Sequence, residues 1–183
     1  MIDEGYIKYH QEFIKDKPLD ATLITEINAY RSSLYKMNLI GAYDDIIGFG
    51  NISYLLPNRK IVISGTQTGQ IETLNETHYT VVENYDIEKN TLTCKGPIKA
   101  SSEALTHAAV YELSTEINAV IHVHSRALWD KYLHKMPTTS ASVAYGTPQM
   151  AFEVKRLYNN GALKQTPVMI MAGHDEGIIT FGS

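Results

Sequence analysis

The chain has 183 residues, 44% of them apolar and 20% charged. That is the composition of an ordinary globular domain and excludes a disordered or fibrous class. Sixteen basic against twenty acidic residues leave a net charge of -4 and a single cysteine, Cys94, which together argue against a nucleic-acid surface, a disulfide framework and a thiol-only metal site.

One domain spanning residues 1–183 is expected, able to bury roughly 70% of the surface its unfolded chain exposes. No apolar run approaches the ~18 residues of a membrane span. The opening Met1-Ile2-Asp3-Glu4 lacks the basic and apolar segments of a signal peptide. The expected setting is therefore cytoplasmic, with no nucleic-acid or membrane partner.

After a polar N-terminal segment, Asp20 stands where a helix N-cap belongs. Leu23, Ile27, Tyr30, Leu34 and Met37 follow at steps of four and three, one face of an amphipathic helix that Gly41 is placed to end. Residues 49–55 and 60–64 read as a hairpin around Pro57-Asn58-Arg59, and Ser64-Gly65-Thr66-Gln67-Thr68-Gly69 as a small polar loop. A second hairpin pairs residues 79–87 with 91–94. A helix is expected from about Ser102 to Thr115, then a buried strand over residues 119–124 and a short helix over 128–133. Thr147-Pro148 opens another helix, with Met150, Val154, Leu157 and Tyr158 on one face and Gly161 as its stop. Residues 168–171 and 178–181 flank a turn at 173–177. Hairpins mixed with helices, without regular βαβ alternation, predict a mixed, largely antiparallel sheet with helices packed on it.

The chemistry concentrates on histidines. In His122-Val123-His124 alternate strand residues share a face, so both imidazoles point the same way and can reach one metal ion. Two polar residues on an ordinary strand face would show the same spacing, so the motif draws its weight from its neighbours. Glu103, His107 and Tyr111 lie at four-residue spacing on the preceding helix. That helix is expected to pack against the strand it feeds and to bring a carboxylate to the histidines as a candidate acid–base group. His174, in a turn between two strands, is a candidate third ligand. Ser101-Ser102 at a helix start, Gly50-Asn51-Ile52-Ser53 and Thr68-Gly69 offer small donors suited to a phosphate, with Lys95 and Lys99 near in sequence. A cupin barrel is set aside, because its glutamate follows the histidines on a strand.

At these residues the sequence resembles the class II aldolase/adducin family, over roughly residues 20–182. The likeness rests on Gly50-Asn51-Ile52-Ser53, the 64–69 loop, Ser101 to Glu112 as Ser-Ser-Glu-x-x-x-His-x-x-x-Tyr, His122-Val123-His124, Tyr145-Gly146-Thr147 and Gly173-His174 with Phe181-Gly182. The resemblance implies a three-layer α/β/α fold and a homotetramer with active sites at subunit interfaces. It implies that His122, His124 and His174 hold Zn2+ or another divalent metal. Glu103 becomes the acid–base group, and Asn51, Thr68, Gly69, Ser101 and Ser102 cradle a substrate phosphate, with Ser64-Gly65-Thr66 as the other candidate for the Thr-Gly part. The implied reaction is an aldolase-type lyase cleaving or forming a C–C bond beside a carbonyl in a small, phosphorylated sugar, through an enediolate that the metal stabilises. A same-family dehydratase or epimerase and a non-catalytic adducin-like module are the alternatives. The family's epimerases carry Asp where Glu103 stands, and adducin-type domains lack the histidines. This chain also has Ala100 in place of the family's proline before Ser-Ser-Glu. It places Asp175 and Glu176 between His174 and Gly177, with Glu176 a further candidate oxygen donor, and its short 137–145 region has no clear counterpart of the aldolase's protonating tyrosine, Tyr145 being a guess at that place.

Overall fold

The structure, a computed structural model, describes residues 5–44 and 47–183; Met1 to Glu4, read above for the lack of a leader, lie outside it. Ten strands are described: β1 (His10–Lys15), β2 (Gly41–Ala42), β3 (Gly48–Phe49), β4 (Asn51–Leu55), β5 (Ile61–Ser64), β6 (Tyr79–Asp86), β7 (Thr91–Gly96), β8 (Ala119–His124), β9 (Val168–Ile170) and β10 (Gly177–Gly182). Five helices accompany them: α1 (Ala21–Lys36), α2 (Ala104–Tyr111), α3 (Arg126–Tyr132), α4 (Pro148–Asn159) and α5 (Ala162–Gln165). Eight strands form one sheet in the order β1-β7-β6-β5-β4-β8-β10-β9, and β2 and β3 pair separately. Every neighbouring pair in the large sheet is antiparallel except β1 with β7. The expected mixed, largely antiparallel sheet is therefore present, with helices on both faces.

Burial shows how the layers form. On one face Ile24 and Ile27 of α1 pack on Ile52, Val62 and Tyr79 of the sheet. On the other, Leu105, Ala108 and Ala109 of α2 and Met150, Val154 and Leu157 of α4 pack on Ile61, Ile63, Val82 and Val120. Strand alternation divides β8 between these layers: Val120 faces α2, whereas Val123 joins Ile40, Ile170 and Ile178 on the opposite side.

Local signals act as read at several points. The Asp20 carboxylate accepts from Thr22 N–H at the start of α1. The Thr147 hydroxyl oxygen accepts from Met150 N–H, with Pro148 in the first turn of α4. Both hairpins turn through a non-glycine residue in the left-handed region, Arg59 and Asn90. The helix read to Thr115 ends sooner, at Tyr111.

Three expectations need correction. The buried face of α1 is Ile24, Ile27 and Arg31, while Leu23, Tyr30 and Met37 are exposed. The helix ends at Lys36 rather than running on to Gly41, because Asn38, just past the cap Met37, takes the left-handed conformation and Leu39 N–H returns to Leu34 O. The polar N-terminal segment contains β1, an edge strand that hydrogen-bonds in parallel to β7.

Arg31 explains the shift of face. Its guanidinium is buried and donates to Glu72 O at 2.7 Å and to Thr68 O and Gly69 O at 3.0 Å, tying α1 to the 65–72 loop. Arg31→Ala strands three carbonyls and opens a cavity, so it is expected to lower unfolding free energy by about 3 kcal/mol, read as a lower urea midpoint. An unchanged midpoint would show that the loop holds itself.

Candidate metal centre and substrate cradle

His122 and His124 project from β8 into the α2 layer. His122 lies opposite Asn51 of β4 on one side and Ile179 of β10 on the other, and His124 lies opposite Gly177. His174 comes from the tight turn joining β9 to β10, where His174 N–H donates to Met171 O and Gly177 N–H donates to His174 O. A side chain at Gly177 would meet the His174 ring at 2.5 Å, so the turn needs glycine there for its close approach. Despite the two residues between His174 and Gly177, the three histidines meet, with one nitrogen from each within 4.8 Å of the others.

The donor set suits a divalent cation. All three imidazoles are buried. Burial pushes the His122 pKa down to about 3 and those of His124 and His174 well below the usual histidine range, so their rings are neutral and keep a lone pair. His124 Nε2 and His174 Nε2 are 3.1 Å apart, close to the roughly 3.3 Å between two nitrogens bound tetrahedrally to one zinc ion. His122 Nε2 is buried with no hydrogen-bond partner, an atom whose cost of burial a metal bond would offset.

Glu103 caps the start of α2 with no side-chain hydrogen bond to the helix. Its carboxylate is fully buried, neither oxygen has a hydrogen-bond partner, and Oε1 lies 4.0 Å from His174 Nε2. Burial pushes its pKa up to about 7, with Thr106 and Lys8 opposing. One turn on, His107 Nδ1 lies 2.7 Å from Ser53 Oγ, which is also 2.8 Å from the Tyr111 hydroxyl. The shared helical face of Glu103, His107 and Tyr111 thus turns toward the sheet. The Tyr145 ring lies 4.4 Å from that of His174, and its hydroxyl accepts from Tyr6 N–H. Lys8 Nζ sits 3.8 Å above the same ring.

Beside the histidines is a polar cavity lined by Gly50, Asn51, Gly65, Thr66, Thr68, Gly69, Ser101 and Ser102, with Gly5, Gly48 and Gln67 at its edge. Asn51, Thr68, Gly69, Ser101 and Ser102 all line it, as do Gly65 and Thr66 of the other half of the 64–69 loop, whereas Ser53 turns to His107 and Tyr111 and Ser64 accepts from Ile52 N–H. Gly69 is required for close approach, because a Cβ there would strike Gly41 O and Phe49 N. Asn51 links cradle and cluster: its side-chain amide lies 3.2 Å from His122 Nδ1.

Three further expected contributors, Lys95, Lys99 and Glu176, lie elsewhere. Lys95 pairs with Asp16 at 3.1 Å, and neither it nor Lys99 lines the cavity, because β7 carries the segment toward β1. Glu176 supplies no atom to the histidine cluster, since its carboxylate is engaged by Tyr43 and Arg126. Sequence reasoning missed Tyr43, Lys8 and Gln67. Lys8 and Tyr43 lie in irregular segments with no periodicity to place them, and Gln67 was read only as a loop residue.

The fold and the site define a class. The model of the class II aldolase and adducin N-terminal domain matches residues 44–183, and the chain belongs to that family. The Mycoplasma pneumoniae protein named "Probable L-ribulose-5-phosphate 4-epimerase UlaF" is 26% identical over 155 residues, covering 81% of this chain and 62% of that protein. The chain thus spans less than two thirds of that relative's length. Among solved structures, L-fuculose 1-phosphate aldolase superposes with a TM-score of 0.67 at 18% identity, covering 91% of this chain and 77% of that one. YgbL of Klebsiella pneumoniae, whose activity is given only as aldolase, epimerase or decarboxylase, follows with a TM-score of 0.63 at 19% identity, covering 90% and 81%. At these identities the structural likeness concerns the fold. Among the described residues no helix is long and apolar enough to cross a membrane.

Proposed function

We propose that the chain is a divalent-metal-dependent lyase of the aldolase type, acting on a small phosphorylated sugar. One observation carries the reading: a buried carboxylate without hydrogen-bond partners lies 4.0 Å from a three-histidine cluster. A cradle of small polar residues adjoins both. His122, His124 and His174 hold the cation, with zinc the first choice for three neutral imidazoles. When bound, that cation supplies Lewis-acid stabilisation of negative charge developing on the substrate's oxygens.

The chain's own residues do the rest. Ser101 and Ser102 bring the start of α2, where an anion such as phosphate is favoured, to the cavity, and Thr68 and Gly69 of the 64–69 loop line its other side. Asn51 joins that cradle and, with its amide turned end for end, accepts His122 Nδ1–H and leaves Nε2 bare for the metal. Glu103 moves a proton at the substrate atom next to the carbonyl. Neither carboxylate oxygen is spent on a hydrogen bond, and a cation held by the three histidines would favour the ionised form, so that Glu103 would act as a base at neutral pH.

A second reading, a sugar-phosphate 4-epimerase, is favoured by the name of the Mycoplasma relative. Against it stands the glutamate at 103, where the epimerases of the family carry aspartate. Metal-loaded protein incubated with L-fuculose 1-phosphate and with L-ribulose 5-phosphate separates the two by NMR. Release of free aldehyde supports the lyase, an isomer of unchanged mass supports the epimerase, and turnover of neither by metal-loaded protein counts against both.

A further inference from the structure

Two of the three histidines meet a side chain at the nitrogen turned away from the cluster, His122 from Asn51 and His124 from Tyr43, and the surroundings of His124 carry the argument further. Its ring is stacked by Phe49, with centroids 5.3 Å apart at 28°, and Phe49 in turn lies 4.7 Å from the Tyr43 ring. The Tyr43 hydroxyl is 2.9 Å from His124 Nδ1 and 3.1 Å from Glu176 Oε2. The other carboxylate oxygen, Glu176 Oε1, accepts from Arg126 Nε at 3.1 Å, and Arg126 also lies 3.5 Å from Asp175. A four-residue chain therefore runs from the surface to the histidine cluster: Arg126, Glu176, Tyr43, His124.

The direction of its hydrogen bonds follows from the inventory of donors. A guanidinium only donates, so Glu176 accepts from Arg126 and has no proton to give to Tyr43. Tyr43 spends its single O–H on Glu176 Oε2, and its oxygen is left to accept. His124 Nδ1 must then be the donor. A neutral imidazole carries one N–H, so Nε2 is bare. A bare His124 Nε2 also suits its 3.1 Å approach to His174 Nε2, where only one of the two nitrogens can carry the proton.

Backbone conformation supplies an independent sign. Glu176 sits at φ 66, in the left-handed region that a side-chain-bearing residue enters at some cost. Glycine would occupy that position without strain. The side chain there reaches both Tyr43 and Arg126, while its carbonyl accepts from Ser125 N–H at the end of β8. The two residues between His174 and Gly177 thus place a carboxylate behind His124.

We propose that Tyr43 and Glu176, anchored by Arg126, are positioning residues that lock His124 in the tautomer presenting Nε2 to the metal. This rests on the three-histidine metal reading above. Such outer partners typically change metal affinity by about 10–100-fold when removed.

The test uses the full chain with two variants, Tyr43→Phe, which keeps the ring against Phe49, and Glu176→Gly, which removes the carboxylate and relieves the strained φ. Nitrogen-15 NMR of the histidine side chains in chelator-treated protein reads the tautomer, and competition with a chromophoric chelator reads the affinity for Zn2+. Wild type is expected to show His124 protonated on Nδ1, and both variants a mixture with about 10–100-fold weaker zinc binding. Glu176→Gly should melt no lower than wild type while binding zinc less tightly, a combination that a merely structural role does not produce. His124 protonated on Nε2 in wild type, or wild-type zinc affinity in both variants, would overturn the proposal. A wild-type protein that binds no metal would instead sink the metal reading, and the tautomer would still decide whether Tyr43 and Glu176 set the ring.

Discussion

Glu103→Gln is expected to lower turnover by about 10²–10⁴-fold while the protein keeps its metal. Glutamine matches glutamate in shape and fills the same buried site, so packing around Ala104 and Ser102 should persist. What is lost is an ionisable group within reach of the substrate. The carboxylate contributes no hydrogen bond that would hold the fold together, which separates its chemical role from a structural one. A consequence for stability has the opposite sign. Burial raises the Glu103 pKa from 4.5 to about 7, so the folded state holds a proton that the unfolded state releases between those values. Its favourable contribution is complete below about pH 4.5 and is lost as pH rises through 7. In chelator-treated protein, Glu103→Gln should therefore be more stable than wild type at pH 8 and gain no such advantage at pH 4. Full turnover by the variant would remove Glu103 from the reaction.

Chelation is the second large effect. Removing the cation is expected to abolish turnover, and adding Zn2+, Co2+ or Mn2+ to restore it to differing degrees. The fold should survive, because the three histidines sit on elements held by other contacts: β8 is hydrogen-bonded on both sides, by β4 and β10, and the 173–177 turn closes on its own backbone bonds. Stability should nevertheless rise with metal, by about 2.7 kcal/mol at a free concentration one hundred times the dissociation constant. A melting temperature indifferent to Zn2+, with turnover untouched by chelator, would contradict a catalytic cation.

How much of this was legible in the sequence depends on how local each signal is. Alternation on a strand placed His122 and His124 on one face, because side chains alternate on every strand whatever the fold. Helical spacing put Glu103, His107 and Tyr111 together for the same kind of reason. Asp20 and Thr147 acted as caps because a cap needs only its own next turn. The α1 face was misread by one position, since counting apolar residues passes over Arg31, whose burial depends on three carbonyls supplied by a distant loop. The strand β1 was invisible for a similar reason: it is a largely exposed edge whose pairing with β7 rests on backbone groups. Tyr43 and Glu176 lie 133 residues apart, and no pattern within either segment links them. The departure between His174 and Gly177 marked the place without disclosing its use.

Elemental analysis of tag-free purified protein beside His122→Ala and His174→Ala tests the three-histidine centre most directly. About one zinc or other divalent ion per chain in wild type, lost in both variants while their circular dichroism stays native, is the predicted result. No metal in wild type even after Zn2+ is supplied, or full metal content in folded His122→Ala and His174→Ala, would contradict it.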